Sequence, residues 1–236
     1  MAAPTTPLQI GALLFEGLDQ IDFTGPFEVL SRLPDSRFAS FAKNRAPLRD
    51  MAGLQLIPDA RLDEAPQLDL LIVPGGFGQQ ALMTDDATLD WLRHQARGAR
   101  AIFSVCTGAL ICGAAGLLVG RRATTHWSAL QLLPLFGATP VQERVVIDGE
   151  MIFAAGVTAG IDGALRVAAM LRGVETAQSI QLYMQYAPQP PFDSGAPETA
   201  PKAVLEEAQR RFEAITKQRE ATARLVAARL NLPQQG

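Results

Sequence analysis

Residues 101–116 read AIFSVCTGALICGAAG, and the fold turns on how that run is divided. Ala101 to Val105 are apolar except for Ser104 and read as a buried strand. The small and aliphatic residues after Cys106 read as a buried helix. Cys106 stands at the join. A side chain at a sharp strand-to-helix turn is pushed out of the backbone. The helix that follows aims its first N–H groups and positive dipole end at that position. A thiol there is easier to ionise, and the thiolate is the nucleophilic form. Cys106 is therefore a candidate nucleophile. The competing account is a core cysteine, because free Cys is among the most buried residue types.

Outward from this stretch, the same pattern recurs. Residues 8–15 (LQIGALLF) and 68–73 (LDLLIV) read as further buried strands, and 38–42 as the second strand in chain order. Residues 54–57 pair with those before Gly53. Residues 22–26 (DFTGP) open a helix, with short polar capping residues ahead of an early proline. Asp85 or Asp86 caps another helix, from Ala87 to about Arg97. A short helix is expected over 126–133. Asp148-Gly149 joins two strands within 141–154 as a hairpin. Helices follow over 161–172, ended by Gly173, and over 174–186. Strands alternating with helices predict an α/β fold: a flavodoxin-like, doubly wound, mainly parallel sheet with helices on both faces. In such sheets the site lies off the carboxyl ends of the strands. Residues 16–22, 75–78 and 106–107 all sit at such ends. One domain is expected over 1–236, with a proline-rich surface segment at 187–201 and a C-terminal helix at 202–230. On that helix Leu205, Ala208, Phe212 and Ile215 form a 3-4-3 stripe that packs on the parent domain or on a second subunit.

The chain has 236 residues, 48% of them hydrophobic and 19% charged, with a net charge of -3. No basic surplus argues for nucleic acid. No apolar run approaches the ~18 residues of a membrane span, and residues 1–7 have neither a basic end nor an apolar core, so they read as a short leader rather than a signal peptide. Two cysteines make no disulfide scaffold. Cys106 and Cys112 point to different helix faces, and His94 and His126 belong to no ligand-spaced cluster. A cytoplasmic protein with no metal and no cofactor is the expectation.

The candidate chemistry gathers around Cys106. Asp22 is either a helix N-cap or the acid/base partner of the thiol, and a carboxylate beside a thiolate would raise the thiol pKa. Glu16 is the competing acid, placed as a solvated turn residue. Residues 74–78 (PGGFG) follow a strand, where glycine brings backbone N–H groups close to a ligand, or simply makes a tight turn. The spacing fits neither a dinucleotide fingerprint nor a phosphate loop. Thr107 offers an N–H to an oxyanion hole and a hydroxyl to a substrate or to Asp22. His126 is either a general base or a histidine bonded to backbone, and His94 lies on a solvent face. Phe77, Trp127 and Val157 stand near the expected site loops and are candidate pocket residues.

Five segments together resemble the ThiJ/PfpI superfamily, whose fold is flavodoxin-like and akin to the class I glutamine amidotransferases: FEGLDQIDFTGP (15–26), VPGGFG (73–78), SVCTGA (104–109), RRATTHW (121–127) and GVTAGID (156–162). Within it, the pattern is most similar to the branch that hydrates isocyanides. The resemblance implies that Cys106 is the nucleophile and Asp22 the acid facing it. It makes Gly76 and Thr107 the backbone donors near the thiol, with Thr107 contributing its side chain as well, and it sets 156–160 beside the site. It also implies a homodimer and a small-molecule isocyanide substrate. Cys106 would attack the isocyanide carbon to give a thioimidate, with Asp22 moving the proton. Thr107 stands where the protease-like branch has His, which argues against peptidase chemistry. Transcription regulators carry the same domain, but the ~35 residues after the proline-rich segment are too few for their DNA-binding module. Two further readings share the same thiol: a glyoxalase or deglycase acting on α-oxoaldehydes, and a non-enzymatic redox sensor oxidised at Cys106.

Overall fold

The computed structural model describes residues 7–232, so residues 1–6 of the expected leader lie outside it. In chain order the elements are β1 (Leu8–Leu13), α1 (Gln20–Leu30), β2 (Ser36–Ala42), β3 (Leu48–Arg49), β4 (Gln55–Leu56), β5 (Ala60–Arg61), β6 (Leu70–Val73), α2 (Gln79–Leu82), α3 (Asp86–Ala96), β7 (Ala101–Val105), α4 (Gly108–Ala114), β8 (Arg122–Ala123), a 3-10 segment (Trp127–Phe136), β9 (Thr139–Pro140), β10 (Val145–Asp148), β11 (Met151–Ala154), α5 (Ala159–Arg172), α6 (Val174–Tyr183) and α7 (Lys202–Arg229).

The central sheet runs β10-β11-β7-β6-β1-β2-β5. Every pairing is parallel except β10 with β11, the hairpin expected at Asp148-Gly149. From β1 the chain first adds β2 on one side, then crosses over to add β6 and β7 on the other. The β1/β6 boundary is thus the switch point, where an open α/β sheet leaves a crevice at its carboxyl edge. The loops after β1, β6 and β7 converge there.

Side chains alternate along β7, and this builds the two helical layers. Phe103 and Val105 point at α5, where Gly163 and Gly160 leave room for them. Burying a ring such as Phe103, fully covered here, contributes roughly 1.5–3 kcal/mol. α1 and α6 pack beside α5, while α3, α7 and the 3-10 segment pack around α4.

Two local expectations are corrected. The α1 cap is Asp19, whose carboxylate accepts the Ile21 N–H at 3.1 Å. Asp22 is therefore in the first helical turn, and Pro26 lies inside the helix rather than at its start. The helix expected over 126–133 is a longer 3-10 segment that includes Pro134 and ends at Gly137, with φ +76°. α7 packs against α2, α4 and the 3-10 segment, and its buried residues are Arg219, Ala223, Val226 and Ala227, whereas Leu205, Ala208, Phe212 and Ile215 of the stripe are half-buried. Residues 187–201 form neither helix nor strand and are largely exposed.

Candidate active site

The sheet hydrogen bonding runs up to the thiol residue itself: the Cys106 N–H donates to the Ala154 carbonyl at 2.9 Å. Cys106 then turns to φ +55°, left-handed backbone that a side chain enters at a cost of roughly 1–3 kcal/mol. Its carbonyl accepts the buried Thr125 hydroxyl at 2.7 Å, which helps hold the turn. α4 begins two residues later, with Thr107 at its cap position. The elbow expected from the sequence is present.

Moving the α1 cap to Asp19 is what frees Asp22. Its carboxyl is fully buried, Oδ2 accepts the Gly75 N–H at 2.8 Å, and Oδ1 has no hydrogen-bond partner among the described residues. Burial pushes Asp22 well above the ordinary carboxyl range, and the Asp19 charge adds to this. The Gly75 N–H and the Cys106 thiol act in the opposite sense. Burial and then Asp22 hold the Cys106 thiol well above its ordinary value, against the Thr107 N–H and Arg219. This corrects the expectation of an easily ionised thiol. α4 has only seven residues, and a buried carboxyl stands beside the sulfur. Cys112, on the same helix, is a core residue pushed up to about 12 by burial.

Gly76 adopts φ +124°, and a Cβ there would fall 2.4 Å from the Asp19 nitrogen, so only glycine fits. Its N–H donates to Thr107 Oγ1 at 3.2 Å, and that hydroxyl lies 3.3 Å from the Gly76 carbonyl. The Thr107 hydroxyl is thus engaged with Gly76 rather than Asp22. The Gly76 N–H expected as an oxyanion donor is occupied, while the Thr107 N–H faces the thiol.

The candidate pocket residues fall into two places. Phe77 and Trp127 meet around Phe212 of α7, with ring centroids 6.2 and 5.5 Å from it, and His126 joins at 5.3 Å. Val157 lies half-buried on the loop between β11 and α5, whose Gly156 approaches the His126 ring. His126 Nδ1 is bound to Ser128, 2.8 Å from its hydroxyl, and caps the 3-10 segment. Burial, with Arg219 adding, lowers its pKa to about 4, so it is neutral at physiological pH. Glu16 is exposed and accepts the Arg49 N–H, as a turn residue does.

Arg219 is the site neighbour that sequence reasoning missed. It is 2% exposed, and donates from Nε to Gln79 Oε1 at 2.9 Å and from Nη2 to the Gly76 carbonyl at 3.1 Å. Its signal was the α7 stripe: one more step of four from Ile215 lands on it.

Against known proteins, the DJ-1/PfpI family model matches residues 9–170, which include the elbow, Asp22 and the glycine turn. The chain belongs to the DJ-1/PfpI family. It is 52% identical over 225 residues to the isonitrile hydratase of Pseudomonas putida, covering 95% of this chain and 99% of that one. The crystal structure of a ThiJ/PfpI family protein from Pseudomonas syringae superposes with a TM-score of 0.90 at 39% identity, covering 92% of this chain and 90% of that one. The transcriptional regulator CdhR of Pseudomonas aeruginosa is 32% identical over 177 residues, which are 71% of this chain and 52% of the regulator. No helix among the described residues is long and apolar enough to cross a membrane.

Proposed function

We propose that the protein hydrates an organic isocyanide to the N-substituted formamide, with Cys106 as nucleophile and Asp22 as acid/base. The observation that carries this reading is the pairing at the elbow. The only buried carboxyl among the described residues stands beside the thiol, with one oxygen unpartnered. The similarity to an isonitrile hydratase over nearly the full length of both chains supports the substrate class.

The chemistry follows from the pair. Two acids buried side by side do not both ionise, so together they carry at most one negative charge, and the reacting state is the one in which they share it. Asp22 takes the thiol proton and passes it to the isocyanide carbon as sulfur bonds to that carbon. The product is a thioimidate, R–N=CH–S–Cys106, with Asp22 again a carboxylate. Asp22 then takes a proton from water as the oxygen adds to the same carbon, and the proton moves to nitrogen. The C–S bond breaks as Asp22 takes the hydroxyl proton and returns it to sulfur, releasing R–NH–CHO and the Cys106 thiol. The sum is isocyanide plus water giving formamide. Thr107 N–H supports the sulfur when it is anionic. The rings of Phe77, Trp127 and Phe212 supply an apolar wall suited to the organic group R.

Incubation with an alkyl or aryl isocyanide, following formamide by NMR, tests the reading. Formamide from the wild type and none above background from Cys106→Ala is the expected result. Undiminished turnover in Cys106→Ala, or none in the wild type, would refute it. We also propose a homodimer in a cytoplasmic setting, the former tested by light scattering.

A further inference from the structure

Among the described residues, two charged side chains are fully buried, Asp22 and Arg219, and they form no ion pair with each other. Arg219 is held by two neutral acceptors, Gln79 Oε1 and the Gly76 carbonyl. A guanidinium withdrawn from water with only neutral partners needs a negative charge close by. On its own helix the adjacent acid, Glu220, is paired at the surface with Arg224. The elements packed on α7 bring up His126, which supplies no negative charge, and α4 with Cys106 before it. Next to Cys106, though not on an element packed against α7, α1 carries Asp22 and the half-exposed cap Asp19. Cys106 is thus the buried acid whose charge Arg219 meets, and Asp22 is coupled to the cation through the thiol beside it.

The hydrogen bonds give this arrangement a direction. Asp22 holds the N–H of Gly75, and Arg219 holds the carbonyl of Gly76, the next residue. Thr107 lies against the same glycine. An acid and a cation therefore clamp adjacent residues of one turn beside the thiol. Arg219 lies well beyond residue 170, where the family-model match ends.

We propose that Arg219 is a positioning residue: held by Gln79 and the Gly76 carbonyl, it is the counter-charge for the negative charge that Cys106 carries, or shares with Asp22, when the pair ionises. This rests on Cys106 being the reacting thiol. The cation favours each anionic state of the pair, including the sulfur released when the thioimidate breaks down. Removing it makes the thiol harder to ionise and lowers kcat rather than raising KM.

The test compares Arg219→Gln, which is neutral, with Arg219→Lys, which keeps the charge, by the pH profile of Cys106 alkylation with iodoacetamide. The glutamine variant is expected to move the midpoint up by one unit or more, so that alkylation on the acid side slows about ten-fold or more. The lysine variant is expected to stay near the wild-type midpoint. Unchanged midpoints in both, or equal shifts in both, would overturn the proposal, since a purely structural role does not distinguish charge. Should the glutamine variant fail to fold, the wild type decides. The Arg219 Nε resonance is expected to move with the Cys106 titration, and a resonance that stays fixed would overturn the proposal. Alkylation needs no isocyanide, so failure of the hydratase reading and failure of this one give different results.

Discussion

Asp22→Asn should make Cys106 more reactive toward alkylation while nearly abolishing turnover, two effects of opposite sign from one substitution. Asparagine is nearly the same size, and its side-chain oxygen still accepts the Gly75 N–H that Oδ2 now takes at 2.8 Å. The charge is what disappears. After burial, Asp22 is the largest cause holding the thiol up. A like charge in contact shifts such a group by about 1–3 units, so the thiolate fraction below the midpoint should rise roughly 10- to 1,000-fold. Losing the proton carrier should cost about 10²–10⁴ in formamide turnover. The assay is a pH-rate profile of iodoacetamide alkylation read at Cys106 by mass spectrometry, with Cys112 as the buried internal control. Stability adds an independent sign. Asp22 is raised in the fold, so its contribution is greatest below pH 4 and is lost as pH rises through the folded value. The melting temperature of Asp22→Asn should therefore gain on the wild type between pH 4 and pH 7. Unchanged or slower alkylation, or full hydratase activity, would refute the coupling of the two groups.

Three further outcomes follow from the same geometry. His126 is lowered to about 4 in the fold, so the stability it supports is complete above pH 6.5 and is lost as pH falls toward 4. This is at most about 3 kcal/mol, and in urea titrations His126→Gln should flatten that part of the pH profile. Phe212→Ala removes the ring on which Phe77, His126 and Trp127 converge. It should raise KM for aryl isocyanides roughly ten-fold, about 1.4 kcal/mol of lost binding, with kcat less affected. Gly76→Ala drives a Cβ into the Asp19 nitrogen at a backbone angle that disfavours side chains, and should cost upward of ~3 kcal/mol in urea unfolding together with the activity.

The parts of this molecule that were legible in the sequence are those whose physics is local. A strand buried on both faces reads as a nearly continuous apolar run, so β1, β6 and β7 announce themselves, and the residue after β7 stood out as the candidate elbow. Asp148-Gly149 marks its hairpin because few residues accept that turn. Asp22 was ambiguous for a local reason as well: two aspartates stand near the start of α1, and only the fold decides that Asp19 caps and Asp22 turns inward. Partnerships between distant segments were not legible. Gln79 and Arg219 are 140 residues apart. Arg219 sits on a helix where Arg210, Arg211 and Arg224 all pair with glutamates three or four residues away, so nothing nearby distinguishes it except its place on the apolar stripe. The engagement of the Thr107 hydroxyl with Gly76 was hidden likewise, since it depends on how closely the β6 and β7 loops meet.

The central claim, that the isocyanide carbon becomes bonded to Cys106, is tested most directly by a crystal soaked with an isocyanide and frozen during turnover. Continuous density from Cys106 Sγ to the isocyanide carbon, with Asp22 beside it, is the predicted result. Substrate lying in the site unbonded to sulfur while formamide accumulates would contradict it.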